Sequence, residues 1–156
     1  LCNLMKNEIN NRGWILGSTS KSYVRFFTKK MKDFIYHNTQ KNGWKHSESF
    51  LFELELYPLS NNLVFRTVIS PSDEKYDSKR LQEILLEIDG FKLPKGKKWL
   101  CNYSEKRKFI YDEIPSSTDE EILELVNPFL DKLSPIVQKV ENKLLEHSSE
   151  LIKMKS

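Results

Sequence analysis

Cysteine is scarce in this chain: there are two among 156 residues. Cys2 and Cys101 are far apart and show no CxxC spacing, which argues against a disulfide framework or a thiolate metal site. Both are expected to be reduced thiols of a cytoplasmic protein. Long apolar runs are missing as well, which excludes a spanning helix, and the N-terminus has no basic-then-apolar signal pattern. No membrane partner is expected. The five glycines form no Gly-rich dinucleotide loop. Gly17-Ser18-Thr19-Ser20-Lys21 lacks the second glycine and the lysine-hydroxyl ending of a phosphate loop, so Ser18, Thr19 or Ser20 is expected to cap a helix instead. A Ser-His-Asp arrangement and a nucleophile elbow are absent too. His37 and His46 have no neighbouring ligand at metal spacing and read as loop residues.

What is present suffices for one ordinary domain with a single core, since 38% of residues are hydrophobic and 12% aromatic. The chain begins at Leu1 and not at methionine, so it is expected to be a fragment of a longer protein. Net charge is only +3, but it is divided unevenly. Residues 1–49 carry nine Lys/Arg against three acids and residues 92–110 seven against one, while residues 111–134 carry one against seven. Segregated blocks of this kind build either a basic face for phosphates or solvated surfaces.

Phe50, Phe52, Leu54 and Leu56 alternate with Leu51, Glu53, Glu55 and Tyr57, the period-2 pattern of a strand with one buried face. Pro58 to Asn62 supplies turn residues, and Leu63 to Ile69 resumes in β-branched and aromatic residues, so the two form an antiparallel hairpin. Upstream, Leu4, Met5 and Ile9 have loose helical spacing, and residues 1–17 read as a linker or the end of an upstream helix. Tyr23, Val24, Phe27, Met31, Phe34 and Ile35 recur at three- and four-residue steps, which predicts an amphipathic basic helix from Lys21 to about His37. Downstream, Ser72 or Asp73 caps a helix with Leu81, Ile84, Leu85 and Ile88 inward, and Gly90 stops it. Lys98–Tyr103 and Lys108–Tyr111 read as two more strands, with Ser104–Arg107 as their turn. Thr118 and Glu121 form a capping box. The apolar stripe that follows keeps its phase through Pro128 and Pro135, with a break or kink favoured near Ser134, and residues 147–156 are expected to fray. The expected fold is α+β: a mostly antiparallel four-stranded sheet made of two hairpins, packed by amphipathic helices including a long kinked or broken C-terminal helix.

Glu53 and Glu55 lie on one side of a strand about 7 Å apart, a spacing able to hold a divalent metal. Without a third acid or an assisting lysine they read as the solvent face of a half-buried sheet. Asp73-Glu74-Lys75 and Asp77-Ser78-Lys79 match the acid-x-Lys triplet of metal nucleases, but no apolar strand carries them.

Leu63-Val64-Phe65-Arg66-Thr67-Val68-Ile69-Ser70-Pro71, then the arginine-containing helix, then Trp99 to Tyr111 and the capped helix beginning at Thr118, resembles the C-terminal region of bacterial PD-(D/E)XK nuclease superfamily proteins over residues 62–150. The resemblance implies a parent that hydrolyses phosphodiesters with Mg2+, within DNA restriction or phage defence. The Pro-Asp and acid-x-Lys elements of such a nuclease have no counterpart here, so the chain is expected to be a non-catalytic accessory module without a cofactor of its own. Its expected nucleic-acid backbone contacts, to DNA or RNA, are Lys29, Lys30 and Lys32 on the first long helix and Lys106, Arg107 and Lys108 on the second hairpin. Two other functions fit the sequence. One is a protein-interaction domain that pairs with a second copy or an upstream domain; the other is a metal hydrolase built on Glu53 and Glu55.

Overall fold

The computed structural model describes residues 1–37, 44, 47–94, 96–109 and 116–155. Helix α1 (Cys2–Asn11) leads into strands β1 (Trp14–Thr19) and β2 (Tyr23–Thr28), and a 3-10 turn at Met31–Asp33 follows. Strands β3 (Phe50–Tyr57) and β4 (Asn62–Ile69) form the central hairpin, closed by a 3-10 turn at Pro58–Ser60. Helix α2 (Ser78–Leu86), strand β5 (Ser104–Lys108), helix α3 (Asp119–Glu146) and helix α4 (Ser148–Lys155) complete the chain. The strands are antiparallel throughout, in the spatial order β1-β2-β3-β4-β5. The fold is therefore α+β, with a five-stranded sheet and a long C-terminal helix. Among the described residues, no helix is long and apolar enough to cross a membrane.

The helices lie on one face of the sheet, and the register explains why. Directly opposed residues share a face, so Val24 and Phe26 of β2 align with Leu54 and Phe52 of β3, and these with Phe65 and Thr67 of β4. All six are buried. Glu105 of β5 opposes Phe65 and pairs with Lys132 of α3 at 2.7 Å, which places α3 over this face. An aromatic chain crosses it from edge to edge: Trp14 to Phe26 at 4.7 Å, Phe26 to Phe52 at 5.3 Å, Phe52 to Phe65 at 5.7 Å, and Phe65 to Tyr103 at 6.2 Å. Phe91, just after α2, stacks on Tyr103 at 5.0 Å. Offset and edge-on rings at such distances add to plain burial.

The central hairpin, the capping box and Gly90 stand where the sequence places them. Thr118 accepts from the Glu121 amide while Glu121 accepts from the Thr118 amide, and Gly90 adopts a φ of +84° that suits glycine.

Elsewhere the structure corrects the sequence. Lys21–His37 is no helix: Tyr23–Thr28 is β2. Its apparent helical period arises because the strand is buried on both faces near its end, where Phe27 joins Val24 and Phe26 inside. Ser20 caps a turn and not a helix, its hydroxyl accepting from the Ser22 and Tyr23 amides. Of the two readings of residues 1–17, the helical one holds for Cys2–Asn11 and the linker one does not, since Met5 and Ile9 are fully buried and Trp14 opens an edge strand. Gly17 in that strand faces Leu51, where a Cβ would come within 3.3 Å of the Leu51 side chain.

The second hairpin does not form. Ser104–Arg107, expected to be a turn, lies within the strand Ser104–Lys108 paired with β4, and Lys98–Tyr103 contributes a single bridge from Leu100 to Ile69. Between the pairs Arg66–Ser104 and Ile69–Leu100, three steps along β4 oppose four on the other side. One extra residue is accommodated there as a bulge, and the Thr67 hydroxyl accepts the Tyr103 amide. Charged residues throughout β5 suit an edge strand as well as a turn. Ile110 and Tyr111 of the expected fourth strand, like His46, fall outside the described residues.

The α2 cap is Asp77, whose carboxylate accepts the Lys79 amide. Asp73 instead bends the preceding loop by accepting from the Lys75 and Tyr76 amides. Helix α3 runs unbroken through Pro128 and Pro135. Tertiary burial of Val126, Phe129, Leu130, Leu133 and Val137 on both sides of the prolines holds it together, where proline alone would disfavour helix. Residues 148–155 form α4 and do not fray, because Leu151 is buried and Glu150 grips Arg80 of α2 through two bonds of 2.6 and 3.0 Å.

Candidate functional site on the open face of the sheet

The face turned away from the helices carries the other half of each strand. Across its middle runs the row Arg25, Glu53, Arg66 and Ser104, one residue from each of β2 to β5. The next row holds Tyr23, Glu55, Val64 and Lys106, and the last Tyr57, Asn62 and Lys108. At the opposite end Leu51 and Val68 are buried, so this face changes from apolar to polar along its length.

Charges in the middle row are paired. Glu53, only 7% exposed, accepts from Arg25 Nε at 2.6 Å and from Arg66 Nη1 at 3.4 Å. Glu55 accepts from Arg66 Nη1 at 2.6 Å and from the Tyr57 hydroxyl. That hydroxyl in turn accepts from Arg66 Nη2 at 2.6 Å. Burial raises the Tyr57 pKa, and the bond to Glu55 raises it further, so the phenol stays protonated as a donor. Burial works against the Arg66 charge, but its bonds to Tyr57 and Glu55 outweigh that and hold the guanidinium firmly protonated. Two arginines and two glutamates leave this network formally neutral.

The guanidinium faces lie on aromatic rings. Arg25 sits 4.1 Å over Tyr23 and 5.5 Å over Trp44, and Trp44 packs on Trp99 with centroids 4.9 Å apart. The result is a continuous ladder, Tyr23–Arg25–Trp44–Trp99, and a second short one where Arg66 lies 5.4 Å over Tyr57. Beside them opens a cleft of about 500 Å³ lined by Arg25, Trp44, Glu53, Arg66, Trp99 and Cys101. Burial pushes the Cys101 thiol up, against the pull of Arg66, so it stays protonated at neutral pH.

The six expected contact residues do not gather on one surface. Lys106 and Lys108 are exposed on this open face, successive same-face residues about 7 Å apart. Arg107 alternates with them and points to the helix-covered side, opposite Leu63. Lys29 and Lys30 follow β2 at the far corner of the sheet, three strand spacings across and about seven residues along, on the order of 25 Å away. There they line a separate cleft with Arg12 and Glu141, and Lys30 lies 3.5 Å from Glu141. Lys32 sits in the 3-10 turn beyond them.

Sequence reasoning missed Arg25, Arg66, Trp44 and Trp99. One signal is available: Arg66 of β4, alternating with Phe65 and Thr67, faces the same side as the Glu-x-Glu of β3, and such a pair calls for cross-strand charge matching. The same pairing weakens a metal role for Glu53 and Glu55, because a divalent ion would have to displace both arginines from carboxylates they already neutralise. Comparison of the chain with protein-family models, curated proteins and solved structures gives no match.

Proposed function

We propose that the chain is a non-catalytic accessory module of a nuclease-like, defence-associated protein, and that it binds single-stranded nucleic acid across the open face of its sheet. The nuclease-like parentage, with Mg2+ held elsewhere in that parent, rests on the resemblance of residues 62–150 alone. What carries the binding reading is the ladder of Tyr23, Arg25, Trp44 and Trp99 on the same face as Lys106 and Lys108, which no helix covers among the described residues. Trp99, the partly exposed end of that ladder, offers a plane on which any base stacks, and lysines beside it track the phosphates. Since the arginines are already neutralised, attraction to the backbone falls to Lys106, Lys108 and the exposed Lys97 and Lys98 that precede Trp99.

Self-association draws on the exposed Leu125, Leu145 and Ile152. Leu125 and Leu145, however, are separated by about 30 Å of helix and form no single patch.

Fluorescence anisotropy of labelled single strands and duplexes, titrated with salt, tests the proposal. Single strands should bind at low salt, with log K falling by about 0.7 per neutralised phosphate for each unit of log salt. K106E/K108E should weaken binding and flatten that slope by about one to two, while K29E/K30E leaves both unchanged. Absence of binding at low salt, or loss through K29E/K30E alone, would overturn it.

A further inference from the structure

We infer that the cleft between Trp99 and the Arg25–Glu53–Arg66 row holds one unstacked guanine base, a step that deepens the single-strand reading and rests on it. A volume of about 500 Å³ lies within the range of small-molecule sites and admits a base with its sugar. Trp44 and Trp99 stand too close together, at 4.9 Å, for a ring to enter between them. Trp44 is nearly buried, while Trp99 keeps part of its surface in solvent, so the stacking surface on offer is Trp99.

The polar lining narrows the ligand. Two guanidiniums flank the cleft, which disfavours a cationic guest. Glu53 between them, with Glu55 behind, disfavours a plain anion. A neutral planar group with both donors and acceptors on its edge fits best.

The hydrogen-bonding capacity left over narrows it further. Arg25 uses Nε on Glu53 and Nη1 on Ser18, so its Nη2 makes no hydrogen bond among the described residues. Arg66 uses Nη1 and Nη2, and its Nε makes no hydrogen bond among the described residues. Each Glu53 oxygen accepts one bond and can accept another. Spare donors thus flank spare acceptors. Guanine alone among the four bases offers two adjacent acceptors, O6 and N7, beside two adjacent donors, N1–H and the N2 amino group. Arginine is the usual partner of the first pair, and a carboxylate matches the second.

The test uses thymidine strands carrying at their centre one guanine, one inosine or one abasic site, together with free guanosine, read by tryptophan quenching and anisotropy. The guanine strand should bind about tenfold or more tighter than the inosine strand, which lacks the N2 amino group, and tighter again than the abasic one. W99A and E53Q should each erase that preference while leaving the salt slope intact. W99F, which keeps a stacking ring, should restore most of it and serves if E53Q does not fold. Strands that bind without regard to the central residue overturn the guanine cleft and leave the open-face reading standing. Guanosine that quenches Trp99 while no strand binds does the reverse, and failure of both probes removes both.

Discussion

Glu53 is the residue on which the open face turns. Its carboxylate is nearly buried and holds Arg25 and Arg66 in fixed orientations over their aromatic partners. Removing one member of a buried charge cluster leaves the others unpaired. Glu53→Ala should therefore destabilise the protein by about 3 kcal/mol, the low end of the range for a broken buried pair, because both arginines keep some solvent. Urea denaturation reads this directly, and a loss under about 1 kcal/mol would mean that water already screens the network. On the covered face Phe52 touches Phe26, Phe50 and Phe65. Phe52→Ala should cost about 3–5 kcal/mol, the toll of a cavity at the middle of the sheet.

Among the elements, α3 and α4 differ in what secures them. The capping box fixes the start of α3, and Thr118→Ala should cost about 1 kcal/mol in the same urea measurement. Helix α4 depends on one buried leucine and on the Arg80–Glu150 pair. Hydrogen bonds from Arg80 lower the Glu150 pKa below its ordinary value of 4.5, against a smaller opposing effect of burial. A depressed folded value means that the ionised carboxylate favours the docked helix. That contribution is present above pH 4.5 and is lost as the pH falls through the lower folded value. The NMR signals of the Leu151 methyls should shift toward an undocked position over that acidic range, and in Glu150→Gln the shift should lose its pH dependence. A wild-type response identical to that of Glu150→Gln would place the hold on α4 elsewhere.

The same elements show which parts of the fold were legible. The β3–β4 hairpin and the α3 cap are local, because period-2 alternation and a Thr-x-x-Glu box depend on residues next to one another. Strand β2 was misread because burial on both faces put Phe27 beside Phe26 and made a strand imitate a helix. Strand β5 reads as a turn because an unbroken run of charges on both faces suits only a sheet edge, and edge position is a property of the whole topology. The open-face site was hidden for a related reason: Arg25, Glu53 and Arg66 become neighbours only once three strands take register, and Trp44 and Trp99 reach them from distant segments.

At the scale of the whole molecule, helices seal one side of the sheet, while the other is buried at its Leu51–Val68 end and turns paired charges, stacked planes and two edge lysines outward at its polar end. Basic residues dense in the sequence are dispersed in space, with Lys29 and Lys30 at one corner and Lys106 and Lys108 at the opposite one. On the proposed reading the open face serves recognition more than general attraction, since its central arginines are already neutralised and attraction to phosphate falls to the lysines at its rim. Chemical-shift mapping of the labelled protein with a short single strand at low salt locates the interface. Perturbations should concentrate at Val64, Lys106, Lys108 and the Trp99 indole N–H, with none along α3; shifts centred on Lys29, Lys30 and the neighbouring turn of α3, or no shifts at all, would show that the open face is not where nucleic acid binds.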